Sequence, residues 1–171
     1  MRRRDFVLGT AGLALLPAAM ANPRLDTLTS GLPRLGSGEF RRWGFLVYEA
    51  TLWAKIDDLQ NPPLALALTY KRNLDGAKIA DASVTEIRNL NIASEAQLKV
   101  WGERMTQIFP NVKAEDCIVG LHLPGGAKFF YNDRFIGSID DPAFARAFFA
   151  IWLDARTSAP GLRALLLKRP A

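Results

Sequence analysis

Arg41 and Arg42 stand just ahead of an apolar run that carries Tyr48. If the backbone is extended here, Arg42 and Tyr48 share a parity and point to the same side. A guanidinium offers paired N–H donors and a phenol adds one more, so the two above an apolar floor suit a carboxylate. The competing reading is a surface arginine beside a core tyrosine whose hydroxyl reaches the edge, since a buried charge needs a partner. His122, the one histidine, reads either as a general base or as an ordinary half-exposed sheet residue. No carboxylate partner for it is predictable, and the second reading is the expectation. Cys117 is expected to be a small core residue. Phe129-Phe130-Tyr131 could line a ligand cavity, but such a run more commonly serves as core and sheet face.

Other chemistries are excluded by composition. A single histidine rules out a multi-histidine metal site, and a single cysteine rules out both a thiolate zinc cluster and an intramolecular disulfide. No glycine-rich phosphate loop opens a helix and no Gly-x-Ser-x-Gly elbow is present. Gly36-Ser37-Gly38 follows no strand pattern and reads as a turn. No metal and no cofactor is expected.

The elements that must position these residues follow from periodicity. Phe45 to Ala54 alternates as a strand, with Leu46, Tyr48, Ala50 and Leu52 on one face. Leu64 to Tyr70 alternates with apolar residues on both sides and is predicted to be a central strand. Helices are predicted over Asp75–Asn89 and Ser94–Phe109, the second opened by a Ser94/Gln97 capping box and stopped by Pro110. A meander follows: Asp116–Leu123, with Cys117, Val119, Leu121 and Leu123 on one face, then Lys128–Tyr131, a tight Asn132-Asp133 turn, and Arg134–Ile139. Asp141 and Pro142 open a helix that buries Phe144, Phe148, Ile151 and Trp152, and a last helix spans about 158–168. Runs of strands and runs of helices indicate an α+β fold, one antiparallel sheet with helices on one face.

The N-terminus reads as an export signal. Three arginines precede a weakly apolar stretch, Ala19-Met20-Ala21 supplies a small-x-small cleavage site, and Arg3-Arg4-Asp5-Phe6-Val7 matches the twin-arginine pattern. The expected division is a signal over 1–21, a Pro/Gly/Ser/Thr-rich linker over 22–38, and one domain over 39–168, working in the periplasm with no stable membrane anchor after cleavage. Cleavage would lower the net charge from +5 to +3, because the segment holds three arginines and one aspartate. That charge is modest and scattered, which argues against nucleic acid as a partner.

The stretch Gly38-Glu39-Phe40-Arg41-Arg42-Trp43-Gly44-Phe45-Leu46-Val47-Tyr48-Glu49-Ala50-Thr51-Leu52-Trp53 resembles the first strands of bacterial chalcone isomerase-like proteins. Leu68-Thr69-Tyr70-Lys71-Arg72 before a helix, Leu123-Pro124-Gly125-Gly126 through Gly137, Ala150-Ile151-Trp152-Leu153 and Leu162-Arg163-Ala164-Leu165-Leu166 fit the same family. The resemblance covers about residues 35–168 and implies that family's open-faced β-sandwich, a large antiparallel sheet under a layer of helices. It also implies two functions: intramolecular lyase chemistry that closes a chalcone to a flavanone, or non-catalytic fatty-acid binding in the same cleft. For the first, the position of the enzymes' active-site threonine is matched by Glu49, where a carboxylate would repel a phenolate unless protonated, and the later tyrosine and asparagine find no match. For the second, Arg42 (with Arg41 as the other candidate) and Tyr48 correspond to the arginine and tyrosine that hold the carboxylate, with Tyr70 as an addition. The expectation is a non-catalytic periplasmic binder of a fatty acid or similar hydrophobic carboxylate through Arg42, Tyr48 and Tyr70. An isomerase using Glu49, Arg42 or His122, or an envelope accessory protein acting through an apolar patch, are the alternatives.

Overall fold

The computed structural model describes residues 23–59 and 61–167; the expected export signal over 1–21 lies outside them. Six strands, β1 (Arg34–Arg42), β2 (Phe45–Trp53), β3 (Leu64–Tyr70), β4 (Cys117–Leu123), β5 (Gly126–Tyr131) and β6 (Arg134–Ile139), form one open antiparallel sheet in sequence order. Helices α2 (Gly76–Leu90) and α3 (Glu95–Ile108) interrupt the meander between β3 and β4, and α4 (Pro142–Leu153) and α5 (Pro160–Leu166) follow it. Helices α3, α4 and α5 touch one face of the sheet, and α2 packs on α3 and α4. A short helix, α1 (Pro23–Leu28), precedes the sheet and brings Leu25, Leu28 and Leu32 against Ala65, Ala67, Val119, Leu121 and Phe130 on the opposite face.

Local chemistry sets these boundaries. Ser94 Oγ accepts from Gln97 N at 3.2 Å while Gln97 Oε1 accepts from Ser94 N at 3.0 Å, closing the capping box of α3. Asp141 caps α4 through Ala143 N at 2.8 Å, and its other carboxylate oxygen accepts the indole N–H of Trp101 at 2.9 Å, which ties α3 to the start of α4. Asn132 and Asp133 both have positive φ, the geometry that a two-residue β5–β6 hairpin requires. The strand β3 is buried on both faces, in keeping with its double-sided apolar pattern. The main core lies between sheet and helices, where Phe109, Phe129, Phe144 and Phe148 meet with ring centroids 5.0–6.3 Å apart.

Three expectations are corrected here. The segment 22–38 is not a linker throughout, and Gly36-Ser37-Gly38 is not a turn: α1 and the first half of β1 lie in it. The glycines serve close approach, since a Cβ on Gly36 would collide with the backbone carbonyls of Leu165 and Leu166, and one on Gly38 would lie 2.7 Å from the Leu165 side chain. Helix α5 therefore packs directly on the strand backbone. His122 is not half-exposed but 3% exposed, stacked on Phe149 at 5.2 Å with the rings 4° from parallel. The row Cys117, Val119, Leu121 looked like the core face, yet the main helix layer covers the other side, where His122 points. Gly36→Val is expected to cost about 1–3 kcal/mol through overpacking against α5, read as a lower urea midpoint. An unchanged midpoint would show that α5 is not held against β1.

Candidate ligand-binding site

A cavity of about 470 Å³ opens between the sheet and the helix layer, within the range typical of small-molecule sites. Its floor is Phe40, Tyr48, Leu68, Tyr70 and Ile118 from the sheet, and its roof is Ile79, Ala82 and Ser83 from α2 with Phe148, Ile151 and Trp152 from α4. Arg42, Tyr48 and Tyr70, the three residues singled out from sequence, all line it.

The route by which Arg42 and Tyr48 reach the same side is not simple alternation. They lie on neighbouring strands, joined by the Trp43-Gly44 turn, in which both residues have positive φ. Arg42 pairs with Phe45, Arg41 with Leu46, and Phe40 with Tyr48, so Val47 has no partner across the ladder. That extra residue reverses the parity of β2 and turns Tyr48 to the face of Phe40 and Arg42. Phe40 and Tyr48 stack at 4.9 Å, and Tyr70 meets Tyr48 edge-on at 6.0 Å.

Tyr48 does not bond to Arg42. Its hydroxyl oxygen accepts the indole N–H of Trp152 on α4 at 3.0 Å, which leaves the phenolic proton for another acceptor. Burial pushes the Tyr48 phenol well above its ordinary pKa, opposed by the Trp152 hydrogen bond and reinforced by the Glu86 carboxylate. Tyr70, 2% exposed, is pushed up likewise by burial and then by its neighbour Tyr48. Both rings are neutral phenols at physiological pH, donors rather than anions.

Charge is distributed unevenly along the cavity. Arg42, Arg72 and Lys78 line one end, and Glu86 is the one carboxylate among the described lining residues. Lys78 and Glu86 lie on the same stripe of α2, eight residues and thus about 12 Å apart. Glu86 accepts a 2.6 Å hydrogen bond from Ser158 beside α5. Lys78 is paired with Asp75, but among the described residues neither Arg42 nor Arg72 has a carboxylate within ion-pair distance. Their guanidinium groups instead cover aromatic rings, Arg42 over Trp43 at 4.7 Å and Arg72 over Phe45 at 4.9 Å. Arg41, the other candidate, is tied to Glu39 at 2.8 Å and does not line the cavity.

The acid–base candidates fall elsewhere. Glu49 is exposed on the face opposite Tyr48, 3.3 Å from Lys71, and lines no part of the cavity. His122 is outside it too; burial first, and the nearby Arg146 second, lower its pKa and hold it neutral, with Nδ1 unpartnered. Phe129 is core, and Tyr131 donates to Asp116 at 2.7 Å, so neither faces the cavity. Sequence reasoning missed Arg72, Lys78, Glu86 and Trp152. Arg72 was findable, since two residues after Tyr70 it shares that residue's parity; Trp152 acts through a contact across 104 residues that no local pattern records.

An open antiparallel sheet roofed by helices over an apolar cavity with a cationic end defines the class of open-faced sandwich expected from sequence. Residues 41–168 match the chalcone isomerase-like family, and the chain belongs to it. An uncharacterized protein of Haemophilus influenzae is 28% identical over 136 residues, a match spanning 78% of this chain and 66% of the relative. Among solved structures, the fold is shared with a fatty-acid binding protein of Arabidopsis thaliana, with a TM-score of 0.62 and 13% identity over 81% of this chain and 87% of that one.

Tyr48→Phe is expected to strand the Trp152 N–H and cost about 1–2 kcal/mol. Adding Trp152→Phe removes the donor as well, so the double change should cost less than the sum of the single ones. Urea unfolding of the four proteins completes the cycle, and strict additivity would show that the bond contributes nothing.

Proposed function

We propose that this protein binds a fatty acid or a similar long hydrophobic carboxylate in the sheet–helix cavity, without catalysing its conversion. The observation that carries this is the cationic end of an apolar cavity, where the Arg42 guanidinium lines the wall with no carboxylate partner among the described residues. A carboxylate there would gain charge-assisted bonds from Arg42, supported by the field of Arg72 and Lys78, with the neutral Tyr48 and Tyr70 phenols further in. The aliphatic tail would lie among Leu68, Ile79, Phe148 and Ile151. The structural likeness to a plant fatty-acid binding protein supports the same reading. Lyase chemistry gains no support from Glu49 or His122, because neither reaches the cavity.

Organic extraction of the purified protein followed by mass spectrometry should recover fatty acid. Arg42→Ala should weaken oleate binding by about tenfold to a hundredfold, the worth of a charge-assisted hydrogen bond. An unchanged dissociation constant would remove Arg42 from the site.

We further propose that the protein acts in the periplasm after twin-arginine export, on the strength of the Arg3-Arg4-Asp5-Phe6-Val7 pattern and the Ala19-Met20-Ala21 cleavage site. Arg3→Lys with Arg4→Lys should leave unprocessed chain in the cytoplasm, while the parent is recovered shortened in the periplasmic fraction. Equal processing of both would reject that route.

A further inference from the structure

The two most exposed large apolar side chains of the described residues are Trp43 at 84% and Phe45 at 60%. Both sit at the tip of the β1–β2 hairpin, where Arg42 and Trp43 also line the cavity, so the tip is the cavity's rim. Trp43 is in the left-handed region at φ 50°, at a turn position that favours asparagine or glycine over a bulky ring. The indole makes a ring contact with the Arg42 guanidinium, and the Phe45 ring one with Arg72. An exposed tryptophan at a disfavoured turn position adds little to the fold of its own chain.

We propose that this tip docks on an anionic lipid bilayer, placing Trp43 and Phe45 at the headgroup level with the cavity rim against the membrane. Three features select a bilayer over other occupants. Indole and phenyl rings with an apolar body suit the membrane interface, where aromatic residues concentrate. Arg42 at the tip and Arg72, which reaches the Phe45 ring from the segment after β3, have no carboxylate partners among the described residues, which complements phosphate headgroups. The patch is continuous with the opening of a cavity shaped for an amphiphile, so a docked rim would let a ligand pass between bilayer and cavity without crossing water. This last point rests on the binding reading above; the docking itself does not. Among the described residues no helix is long and apolar enough to cross a membrane, so the contact is a peripheral one.

The test is co-sedimentation of the full chain with phosphatidylglycerol-containing vesicles and with pure phosphatidylcholine vesicles, the same form of the chain being used for every variant. The parent should prefer the anionic vesicles, and binding should fall as salt is raised. Phe45→Thr, which suits a strand, should weaken partitioning by about tenfold. Adding Trp43→Asn, which suits the turn, should weaken it further and abolish a blue shift of tryptophan emission on vesicle addition. Phe45 does not line the cavity, so Phe45→Thr should keep the parent's affinity for a dansyl-labelled fatty acid without vesicles. Unchanged affinity for that fatty acid in Arg42→Ala, with the parent's vesicle binding intact, would fault only the ligand site. Equal binding to both vesicle types, or unchanged partitioning in the double variant, would overturn the docking. So would concentration-dependent self-association abolished by Trp43→Asn without vesicle binding, which would assign the tip to a second copy of the chain.

Discussion

Trp152 on α4 donates its indole N–H to the phenol of Tyr48 on β2, and this polar contact spans the gap between helix layer and sheet beside the cavity. Further along α4 the same gap is closed by packing alone. Phe144 and Phe148 meet Phe129 from the sheet edge to face, and Phe129 in turn meets Phe109 from the end of α3 the same way. Toward the β1–β2 end the large side chains turn aside: Phe40 stacks on Tyr48 and Tyr48 is held by Trp152, so their rings form walls and not a plug. The hollow thus exists because one aromatic cluster packs face and edge across the gap while the neighbouring one is pinned by a hydrogen bond. The bond also settles the chemistry of the wall, since an oxygen that accepts from an indole keeps its own proton free to donate.

Elements whose signals are local could be read from the sequence. The double-sided alternation of Leu64–Tyr70, the Ser94/Gln97 capping box, the Asp141-Pro142 helix start and the Asn132-Asp133 turn each specify one backbone geometry through neighbouring residues. The resemblance to chalcone isomerase-like proteins correctly gave the architecture that these pieces assemble into. The strand β1 was obscured because its glycines carry the composition of a loop, whereas their purpose is contact with α5 more than 120 residues away. His122 was obscured because β4 is apolar on both sides, and alternation cannot tell which side the main helix layer covers.

The candidate site was legible in its members but not in its construction. Arg42 and Tyr48 do share a side, yet through a two-residue turn and an unpaired Val47, two parity changes that a continuous extended chain does not contain. Glu49 shows the same limit from the other direction. Its match by position to a catalytic residue put it in the cleft, while adjacency to Tyr48 along a strand forces it to the far face, where Lys71 takes it up.

The arrangement of charge decides which way an amphiphile would enter. A carboxylate near Glu86 would meet a like charge in a partly desolvated wall, and Ser158 offers that end one hydroxyl, already donated to Glu86. At the other end of the same α2 stripe, Lys78 lies with Arg72 and Arg42, two guanidinium groups that are screened only by aromatic faces. The gradient runs over about 12 Å, so a head group at the rim and a tail toward Trp152 is the orientation that puts a carboxylate beside the guanidinium groups and away from Glu86. That orientation would keep the polar end where a ligand would enter, so binding would not require a carboxylate to be dragged past the apolar floor of Leu68 and Ile118. In the proposed binding mode the rim cations and the tyrosine-lined interior would therefore act on different parts of one molecule, the first on its charge and the second on its depth of insertion.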